Sequence, residues 1–319
     1  MAKYRNKLPQ IGSKLFLTDS GMETSLIYHQ GIELPHFASF DLMKNAQGRA
    51  IVDAYYAKHA ALAKARQLGF VLETPTWRAN KDWGAKIGYS EGELGRVNRE
   101  CVAIMLDLRS RFETANSPMP ISGNIGPRGD GYRPDYRMSI KEACAYHARQ
   151  VQTFAETEAD FVSAFTMNYI DEPIGIAHAC ELAGIPCVIS LTVETDAKLA
   201  GGQTIEQAID EIDARTGSYP AYYMINCAHP THFESAIVVG EDWVHRIRGL
   251  RANSSCKSHA ELDASTSLDE GNPAELGAQY RSLRQKMPRM TVLGGCCGTD
   301  FRHVEQICLA CTEVDAEAA

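Results

Sequence analysis

The sequence predicts an α/β protein built as a single (β/α)₈ barrel, or TIM barrel, over residues 1–319. Eight short apolar runs alternate with segments of helical composition, and the runs lack the strict polar–apolar alternation of strands with one exposed face. Strands of this kind, each reached through a helix, form a parallel sheet that is buried on both faces. The eight predicted strands span residues 15–18, 70–73, 120–123, 161–165, 187–191, 222–226, 249–253 and 290–294. The seventh run is the weakest, because half of its residues are polar.

Two other architectures suit a chain of 319 residues: two modest domains, or an open doubly wound sheet. The chain has no low-complexity linker, and no Gly-x-Gly-x-x-Gly motif follows the first strand, which argues against a dinucleotide-binding sheet. The helical segments favour the barrel. Residues 48–69 repeat apolar side chains at helical spacing and end at Gly69, which we interpret as a helix stop. Ser139 and Glu142 form a capping-box pattern before the fourth strand.

Charge and hydropathy exclude several classes of function. The net charge is −8 at pH 7, which argues against a nucleic-acid partner, and no block of Lys and Arg suggests a membrane surface. The N-terminal residues lack the continuous apolar core of a signal peptide. No apolar run reaches the length needed to cross a bilayer. We therefore expect a cytoplasmic protein with small-molecule partners, and the sequence leaves its oligomeric state open.

Three of the ten cysteines follow predicted strands. In a reducing compartment, thiols are expected to be buried, catalytic or metal-bound rather than cross-linked. Cys227 directly follows the sixth strand, and Cys296 and Cys297 follow the eighth. The C-terminal ends of these strands point to one mouth of a barrel, where active sites of this architecture lie. Zinc binds cysteine sulfur in tetrahedral geometry, and three protein ligands leave one position open. The sequence therefore predicts a zinc site at this mouth.

Adjacent cysteines on a regular strand would face opposite ways. Gly294, Gly295 and Gly298 flank the pair, and we expect their unusual backbone angles to turn both side chains inward. Three thiolates and Zn²⁺ sum to one negative charge, so such a metal activates water poorly but still stabilises a substrate thiol as the thiolate. Because zinc has no redox chemistry, nucleophilic attack by an exogenous sulfur is the expected reaction.

Five motifs resemble those of the zinc-dependent homocysteine S-methyltransferase family. They are TDSGMET at 18–24, NIGPRGD at 124–130, SLTVETDAKLAGGQT at 190–204, NCAHP at 226–230 and GGCCGTD at 294–300. The resemblance therefore spans nearly the whole chain. It implies a (β/α)₈ barrel that transfers a methyl group to homocysteine to give methionine. Donors known across the family include S-methylmethionine, betaine and folate-linked methyl groups.

The resemblance also implies roles for individual residues. Cys227, Cys296 and Cys297 would be the zinc ligands, and Asp19 would help to hold the amino group of the substrate. Two positions depart from the family pattern. Phe165 stands where the family usually has a glutamate at the end of the fourth strand, which removes an anchor for the ammonium group.

Glu23 stands where the family commonly has glycine. We expect Glu23 to supply the missing charge from the neighbouring loop. Asn253, at the end of the seventh strand, is a further substrate-binding candidate, and hydrogen bonding to its own loop is the alternative. Asp19 has an alternative role as well, because an acidic residue after a strand can cap the next helix.

Other mouth residues have functional and structural interpretations. His229 could act as a fourth zinc ligand, which would make the zinc structural, but lining the mouth is the favoured interpretation. Cys308 and Cys311 lie three residues apart, and we expect them to pack the last helix against the barrel. Trp77, Trp83 and Tyr132 are aromatic residues of mouth loops that could surround an onium donor through cation–π attraction or simply anchor their loops.

The sequence thus predicts a zinc-dependent S-methyltransferase of methionine biosynthesis. A small onium compound, such as S-methylmethionine, S-adenosylmethionine or a betaine, would donate a methyl group to the thiol of homocysteine. Three alternatives stay open at this point. They are a methyltransferase of the same fold with another thiol acceptor, a non-catalytic barrel with structural zinc, and a hydrolase that uses zinc-bound water. The last is disfavoured because such enzymes rely on histidine and carboxylate ligands.

Overall fold

A computed structural model describes the backbone of residues 1–317 and the side chains of residues 1–312. Over these residues nine strands form one sheet, and all neighbouring strands pair in parallel. The strands are β1 (Phe16–Leu17), β2 (Gly69–Phe70), β3 (Leu72–Glu73), β4 (Ile121–Ile125), β5 (Phe161–Met167), β6 (Cys187–Leu191), β7 (Tyr222–Asn226), β8 (Ile247–Ala252) and β9 (Val292–Gly295).

The sheet closes into a barrel through β2 and β3, which are separated only by Val71. β2 pairs with β1, and β3 pairs with β4. The N–H of Val71 donates to the carbonyl oxygen of Leu17 at 2.9 Å, and the N–H of Leu72 donates to that of Pro120 at 2.9 Å. β2 and β3 therefore act as one strand of an eight-stranded TIM barrel. All eight predicted strands are confirmed, including the half-polar seventh run, which is β8.

Helices connect the strands and surround the barrel. They are α1 (Met22–Thr24), α2 (Ala46–Ala65), α3 (Lys81–Lys86), α4 (Glu91–Phe112), α5 (Ile140–Ala155), α6 (Asp171–Ala183), α7 (Ile205–Thr216), α8 (Pro230–Phe233), α9 (Asp242–Arg246), α10 (His259–Asp263), α11 (Pro273–Lys286) and α12 (Phe301–Glu317). Short 3₁₀ turns span Pro9–Ile11, Pro35–Phe37, Ser39–Lys44 and Glu234–Ala236, and a π turn spans Ser25–His29. The predicted capping box at α5 is confirmed, because Ser139 and Glu142 each accept a hydrogen bond from the backbone N–H of the other.

The expected helix stop at Gly69 is wrong. α2 ends at Ala65, and the chain turns through Gln67, whose φ is 56°. Gly69 lies in β2, where the ring of Phe16 packs so closely that a Cβ would not fit. This glycine therefore serves the packing of two strands and not the end of the helix.

Side chains of the strands alternate between the barrel interior and the surrounding helices. Phe16, Tyr222 and Met224 belong to an apolar cluster inside the barrel, whereas their neighbours Leu17 and Tyr223 belong to the larger cluster under the helices. Burial on both faces explains why the strands are continuous apolar runs in the sequence. No helix within the described residues is long and apolar enough to span a bilayer.

Candidate active site and metal centre

Three cysteines converge at the C-terminal mouth of the barrel. Cys227 follows β7, Cys296 and Cys297 follow β9, and β8 lies between these strands. Their Sγ atoms all lie within 4.8 Å of one another. Sγ of Cys227 is 4.0 Å from Sγ of Cys297, and a disulfide joins Cys227 to Cys296. The expectation that no cysteine is cross-linked is wrong for this pair, because two of the converging sulfurs also lie within bonding reach.

Strand β8 fixes both cysteine loops through its backbone. The N–H of Cys227 donates to the carbonyl oxygen of Arg251 at 3.1 Å, and the N–H of Cys296 donates to that of Ala252 at 2.8 Å. Just beyond the strand, the N–H of Ser254 donates to the carbonyl oxygen of Cys297 at 3.1 Å. One strand therefore sets the spacing of all three sulfur-bearing residues.

Two side chains hold the backbone of Cys227 in an uncommon conformation. Its φ is 53°, in the left-handed region that costs a residue with a Cβ about 1–2 kcal/mol. Its carbonyl oxygen accepts hydrogen bonds from Nδ2 of Asn253 at 3.0 Å and from Nε2 of His259 at 2.6 Å. Nδ1 of His259 lies 2.8 Å from a carboxylate oxygen of Glu194, and the ring of Tyr132 stacks on the imidazole with centroids 4.0 Å apart. These contacts stabilise the strained residue.

The glycines beside the cysteine pair act differently from the prediction. Gly298 has a positive φ of 79°, as expected. Gly294 and Gly295 are strand residues of β9 without a positive φ, so the expectation of unusual angles is wrong for them. A Cβ on Gly294 would collide with the Thr18 hydroxyl, and this glycine is required for the close approach of β1 and β9.

A buried guanidinium and two carboxylates lie beside the cysteines. Nη1 of Arg251 donates to Oδ1 of Asp19 at 2.8 Å and also contacts Glu73. Nε of Arg251 donates to the carbonyl oxygen of Gly295 at 3.0 Å, and Nη2 donates to that of Ser20 at 3.1 Å. The three charged side chains are at most 9% exposed. One cation faces two anions, and burial raises the pKa of Glu73 to about 8, with Arg251 opposing the rise and Asp19 adding to it.

Glu23 supplies a third carboxyl group to this region. Oε1 of Glu23 accepts a hydrogen bond from the Ser39 hydroxyl at 2.8 Å. Burial raises the pKa of Glu23, and the nearby charge of Asp19 adds to the rise. Predicted substrate residues Asp19 and Glu23 therefore lie on one side of the same mouth.

A cleft of ≈ 650 Å³ opens at the mouth, which is within the usual size of a small-molecule site. The lining includes the three cysteines, Asp19, Glu23, Glu73, Arg251, Trp77, Tyr132 and Phe165. The ring centroid of Phe165 lies 5.3 Å from Cζ of Arg251. Asn253 lies behind Cys227, bonded to its carbonyl oxygen, and is 2% exposed.

The aromatic mouth residues fall into two groups. Trp77 and Tyr132 line the cleft, and the Tyr132 hydroxyl lies 3.7 Å from Sγ of Cys297. Trp83 instead carries two cations of the chain itself, with Cζ of Arg78 and Nζ of Lys86 each 3.7 Å from a ring centroid. The other side of the Arg78 guanidinium lies 3.9 Å from the ring of Trp77. Trp83 therefore anchors its loop through cation–π contacts.

The sequence model of the homocysteine S-methyltransferase family matches residues 16–311. The chain belongs to this family. It is an enzyme, a methyltransferase, and the family match covers every strand of the barrel.

Individual relatives agree with this membership. The chain is 25% identical to the homocysteine S-methyltransferase YbgG of Bacillus subtilis (strain 168) over 255 residues, which cover 73% of this chain and 76% of the relative. Its fold is similar to the homocysteine methyltransferase MmuM of Escherichia coli in the oxidized form, with a TM-score of 0.70, 17% identity and coverage of 97% and 98% of the two chains. The metallated form of MmuM matches with a TM-score of 0.68, 17% identity and coverage of 95% and 96%.

Three sequence-based interpretations have structural outcomes in this methyltransferase. His229 caps α8, since its Nδ1 accepts from the Thr231 backbone N–H at 3.4 Å, and burial lowers its pKa to about 4. Cys308 and Cys311 are buried in the apolar core, as expected. Asp19 does not cap a helix, because the residue that precedes α1 is Gly21 and the Asp19 carboxylate bonds elsewhere.

Sequence reasoning missed three polar residues of the methyltransferase site: Glu73, Arg251 and His259. Glu73 and Arg251 lie inside predicted strands of an all-buried sheet, where a charged residue requires a partner. That position was the available signal. His259 carried no such signal, because it lies in a polar loop of the sequence and reaches Cys227 only in the fold.

Proposed function

We propose that this methyltransferase moves a methyl group from a small onium donor to the thiol of homocysteine, giving methionine, with Zn²⁺ held by Cys227, Cys296 and Cys297. The observation that carries the proposal is the convergence of three sulfurs on one edge of a small-molecule cleft. The printed activities of the Bacillus subtilis and Escherichia coli relatives support homocysteine as the acceptor.

The donor set fits a zinc ion. Tetrahedral Zn²⁺ with bonds of about 2.3 Å spaces its sulfur ligands about 3.8 Å apart. The distance between Cys227 and Cys297 is 4.0 Å, close to that spacing. Because the ligands are thiolates, the form that binds metal is the one in which Cys227 and Cys296 are reduced. When bound, zinc would lower the pKa of an acceptor thiol so that it is a nucleophile at neutral pH.

The chain's own residues would bind and orient the two substrates. Asp19 and Glu23 offer carboxylates to the ammonium group of homocysteine, and Asn253 holds the Cys227 loop against which the acceptor lies. Trp77 and Tyr132 offer aromatic faces to an onium donor such as S-methylmethionine, S-adenosylmethionine or a betaine. Holding both substrates in one narrow cleft converts a two-body encounter into an oriented attack of sulfur on the methyl carbon.

A second acceptor class is favoured by one pair of contacts. The Asp19 carboxylate is bonded to Arg251, and Phe165 presents an aromatic ring to the cleft near the same guanidinium. Both features weaken the attraction for an ammonium group. A thiol without a free amino group is therefore the alternative acceptor.

Zinc-edge X-ray absorption on the reduced, zinc-loaded protein tests the proposal. We expect three sulfurs and one lighter ligand without substrate, and four sulfurs after addition of L-homocysteine. Cys297→Ser should lose a sulfur from the shell, whereas Cys256→Ser, a change at an exposed cysteine outside the cluster, should not. An unchanged shell with homocysteine, together with no methionine from a ¹³C-methyl onium donor, would contradict the proposal.

The acceptor class needs a separate comparison. Methyl transfer to L-homocysteine and to 4-mercaptobutyrate, which has the same thiol and carboxylate but no amino group, should differ in kcat/KM. A preference for homocysteine of about tenfold or more is expected if a carboxylate holds its ammonium group. Equal values would favour the second acceptor class.

A further inference from the structure

A second cleft of ≈ 1150 Å³ lies outside the barrel, between α2 and the start of α12. Ser20, Tyr55 and His59 line it, and Ser20 also lines the active-site cleft. Asp19, the neighbour of Ser20, lines only the active-site cleft of the two. The wall between the two clefts is therefore one layer of polar side chains.

These side chains form a continuous chain of hydrogen-bond contacts. Oδ2 of Asp19 lies 3.2 Å from the Tyr55 hydroxyl, which lies 3.0 Å from the Ser20 hydroxyl. The Ser20 hydroxyl lies 3.1 Å from Nε2 of His59. All four residues are at most 9% exposed. The chain thus runs from the active-site carboxylate to an imidazole at the outer cleft without a break longer than a hydrogen bond.

The tautomer of His59 follows from its second contact. Nδ1 of His59 lies 2.9 Å from the carbonyl oxygen of Tyr55, which only accepts, so Nδ1 carries a hydrogen. In the neutral imidazole, Nε2 is then the accepting nitrogen. Three contacts link Asp19 to His59, but an ionised Asp19 and a neutral His59 leave only the two hydroxyl hydrogens of Tyr55 and Ser20 to fill them. One contact therefore lacks a hydrogen, and the chain has room for one more proton.

We propose that Tyr55, Ser20 and His59 carry the proton of the acceptor thiol from Asp19 to the outer cleft. The inference rests on the proposed function, because methyl transfer from an onium donor to a thiol releases one proton. The new S–CH₃ bond forms with the sulfur electron pair, the bond from the methyl carbon to the onium atom breaks, and its electron pair leaves with the neutral product. The thiol proton remains, and the occupied cleft gives it no direct way out.

The relay is balanced at each step. The thiol proton passes to Asp19, and the protonated carboxyl group donates to Tyr55. The Tyr55 hydroxyl hydrogen moves to Ser20, and the Ser20 hydroxyl hydrogen moves to Nε2 of His59. The imidazolium then loses a proton to water or buffer in the outer cleft. Before and after this transfer the chain holds the same three hydrogens in opposite directions, so both end states satisfy every contact.

The surroundings of His59 suit an intermediate acceptor. Burial lowers its imidazole pKa, and the cations Lys58 and Arg251 lower it further, while the Tyr55 carbonyl and the Asp19 charge raise it. The edge of Phe301 on α12 covers the remaining face, with ring centroids 5.5 Å apart. His59 is therefore neutral before it receives a proton at pH 7, and it releases that proton readily.

Chemical rescue tests the relay. His59→Ala should lower the rate of methyl transfer roughly 10-fold to 100-fold in a weakly buffered solution. Added imidazole should restore most of the rate, because the outer cleft admits a small base. Tyr55→Phe should be slow as well but should not respond to imidazole, since the break lies between Asp19 and Ser20. His303→Ala removes another buried imidazole that has no contact with the chain, and should show neither effect.

Two further measurements do not depend on turnover. A pH indicator in stopped flow should show slower proton release after homocysteine addition in both slow variants than in the wild type. In the ¹⁵N NMR spectrum of the metal-free protein, neutral His59 should be the Nδ1-protonated tautomer, and His59→Gln serves as the assignment variant if His59→Ala folds poorly.

The outcomes separate the two proposals. Wild-type methyl transfer with a His59→Ala variant that is equally fast at low buffer, or with an Nε2-protonated His59, would overturn the relay alone. A wild-type protein that neither transfers a methyl group nor releases a proton on thiol addition would overturn the proposed function and, with it, the relay.

Discussion

Nη1 of Arg251 lies 2.8 Å from Oδ1 of Asp19, which joins the end of β8 to the loop after β1 across the barrel mouth. The acid that sequence reasoning assigned to the substrate is therefore already paired. The same guanidinium bonds the carbonyl oxygens of Ser20 and Gly295, beside the first cleft wall and the cysteine pair. Arg251 thus links the substrate carboxylates to the loop that carries two of the three sulfurs.

Loss of Arg251 should strongly destabilise the protein. Arg251→Met leaves two buried carboxylates without a cation, and breaking a buried pair in this way costs about 3–5 kcal/mol. Urea unfolding of the reduced protein measures the change. Arg99→Met is the matched control, because it removes an ion pair to Glu156 in which both side chains are 50% exposed. Similar losses for both variants would contradict the prediction.

Glu73 should make stability fall as pH rises. Its pKa is raised from 4.5 to about 8 in the folded protein, so its favourable contribution is complete below about pH 4.5 and is lost as pH rises towards 8. Glu73→Gln removes this titration. The difference in unfolding free energy between variant and wild type should therefore shift in favour of the variant between pH 5 and pH 8. A constant difference over this range would show that Glu73 stays ionised beside Arg251.

These two charged residues mark the limit of prediction from the sequence. Strand-end position alone was enough to group Cys227 with Cys296, because every strand of a parallel barrel ends at the same mouth. Which side chains then meet across the mouth depends on the closure of the barrel, and Asp19 and Arg251 are 232 residues apart in sequence. Their pairing left no local pattern to detect.

Helix α2 illustrates a second limit. Its apolar spacing predicted a helix packed on the barrel, and that helix is present. The same spacing gave no reason to separate Tyr55 and His59 from the core residues around them. Their hydroxyl and imidazole groups acquire partners only because β1 ends directly beneath this helix.

Positioning of Cys227 should control metal affinity. His259→Phe keeps a ring that can stack on Tyr132 but removes the Nε2–H that bonds the Cys227 carbonyl oxygen. Loss of such a supporting contact typically weakens metal binding about 10-fold to 100-fold. Competition with a zinc chelator measures the affinity, and His36→Phe, at an exposed position, is the control. Unchanged zinc affinity in His259→Phe would separate this histidine from the metal centre.

Glu23 should affect the acceptor rather than the metal. Glu23→Gln keeps the size of the side chain and removes its charge, so the acceptor KM should rise about tenfold or more, as expected for a lost charge-assisted hydrogen bond. Steady-state kinetics with homocysteine at saturating donor measure this change. Glu33→Gln, at an exposed position, should leave KM unchanged. A trivial rise for Glu23→Gln would exclude this carboxylate from acceptor binding.

Phe165 should determine how strongly the site prefers an acceptor with an amino group. Its ring faces Arg251 in the cleft, and Phe165→Glu would place a further carboxylate near the ammonium group of homocysteine. The ratio of kcat/KM for homocysteine over 4-mercaptobutyrate should rise about tenfold or more, since a hydrogen bond to a charged group contributes about 1.5–3 kcal/mol. Phe165→Leu removes the ring without adding charge and should leave the ratio close to that of the wild type. Equal ratios in the two variants would mean that the ring acts through its shape, because only the glutamate changes the electrostatic attraction for the amino group.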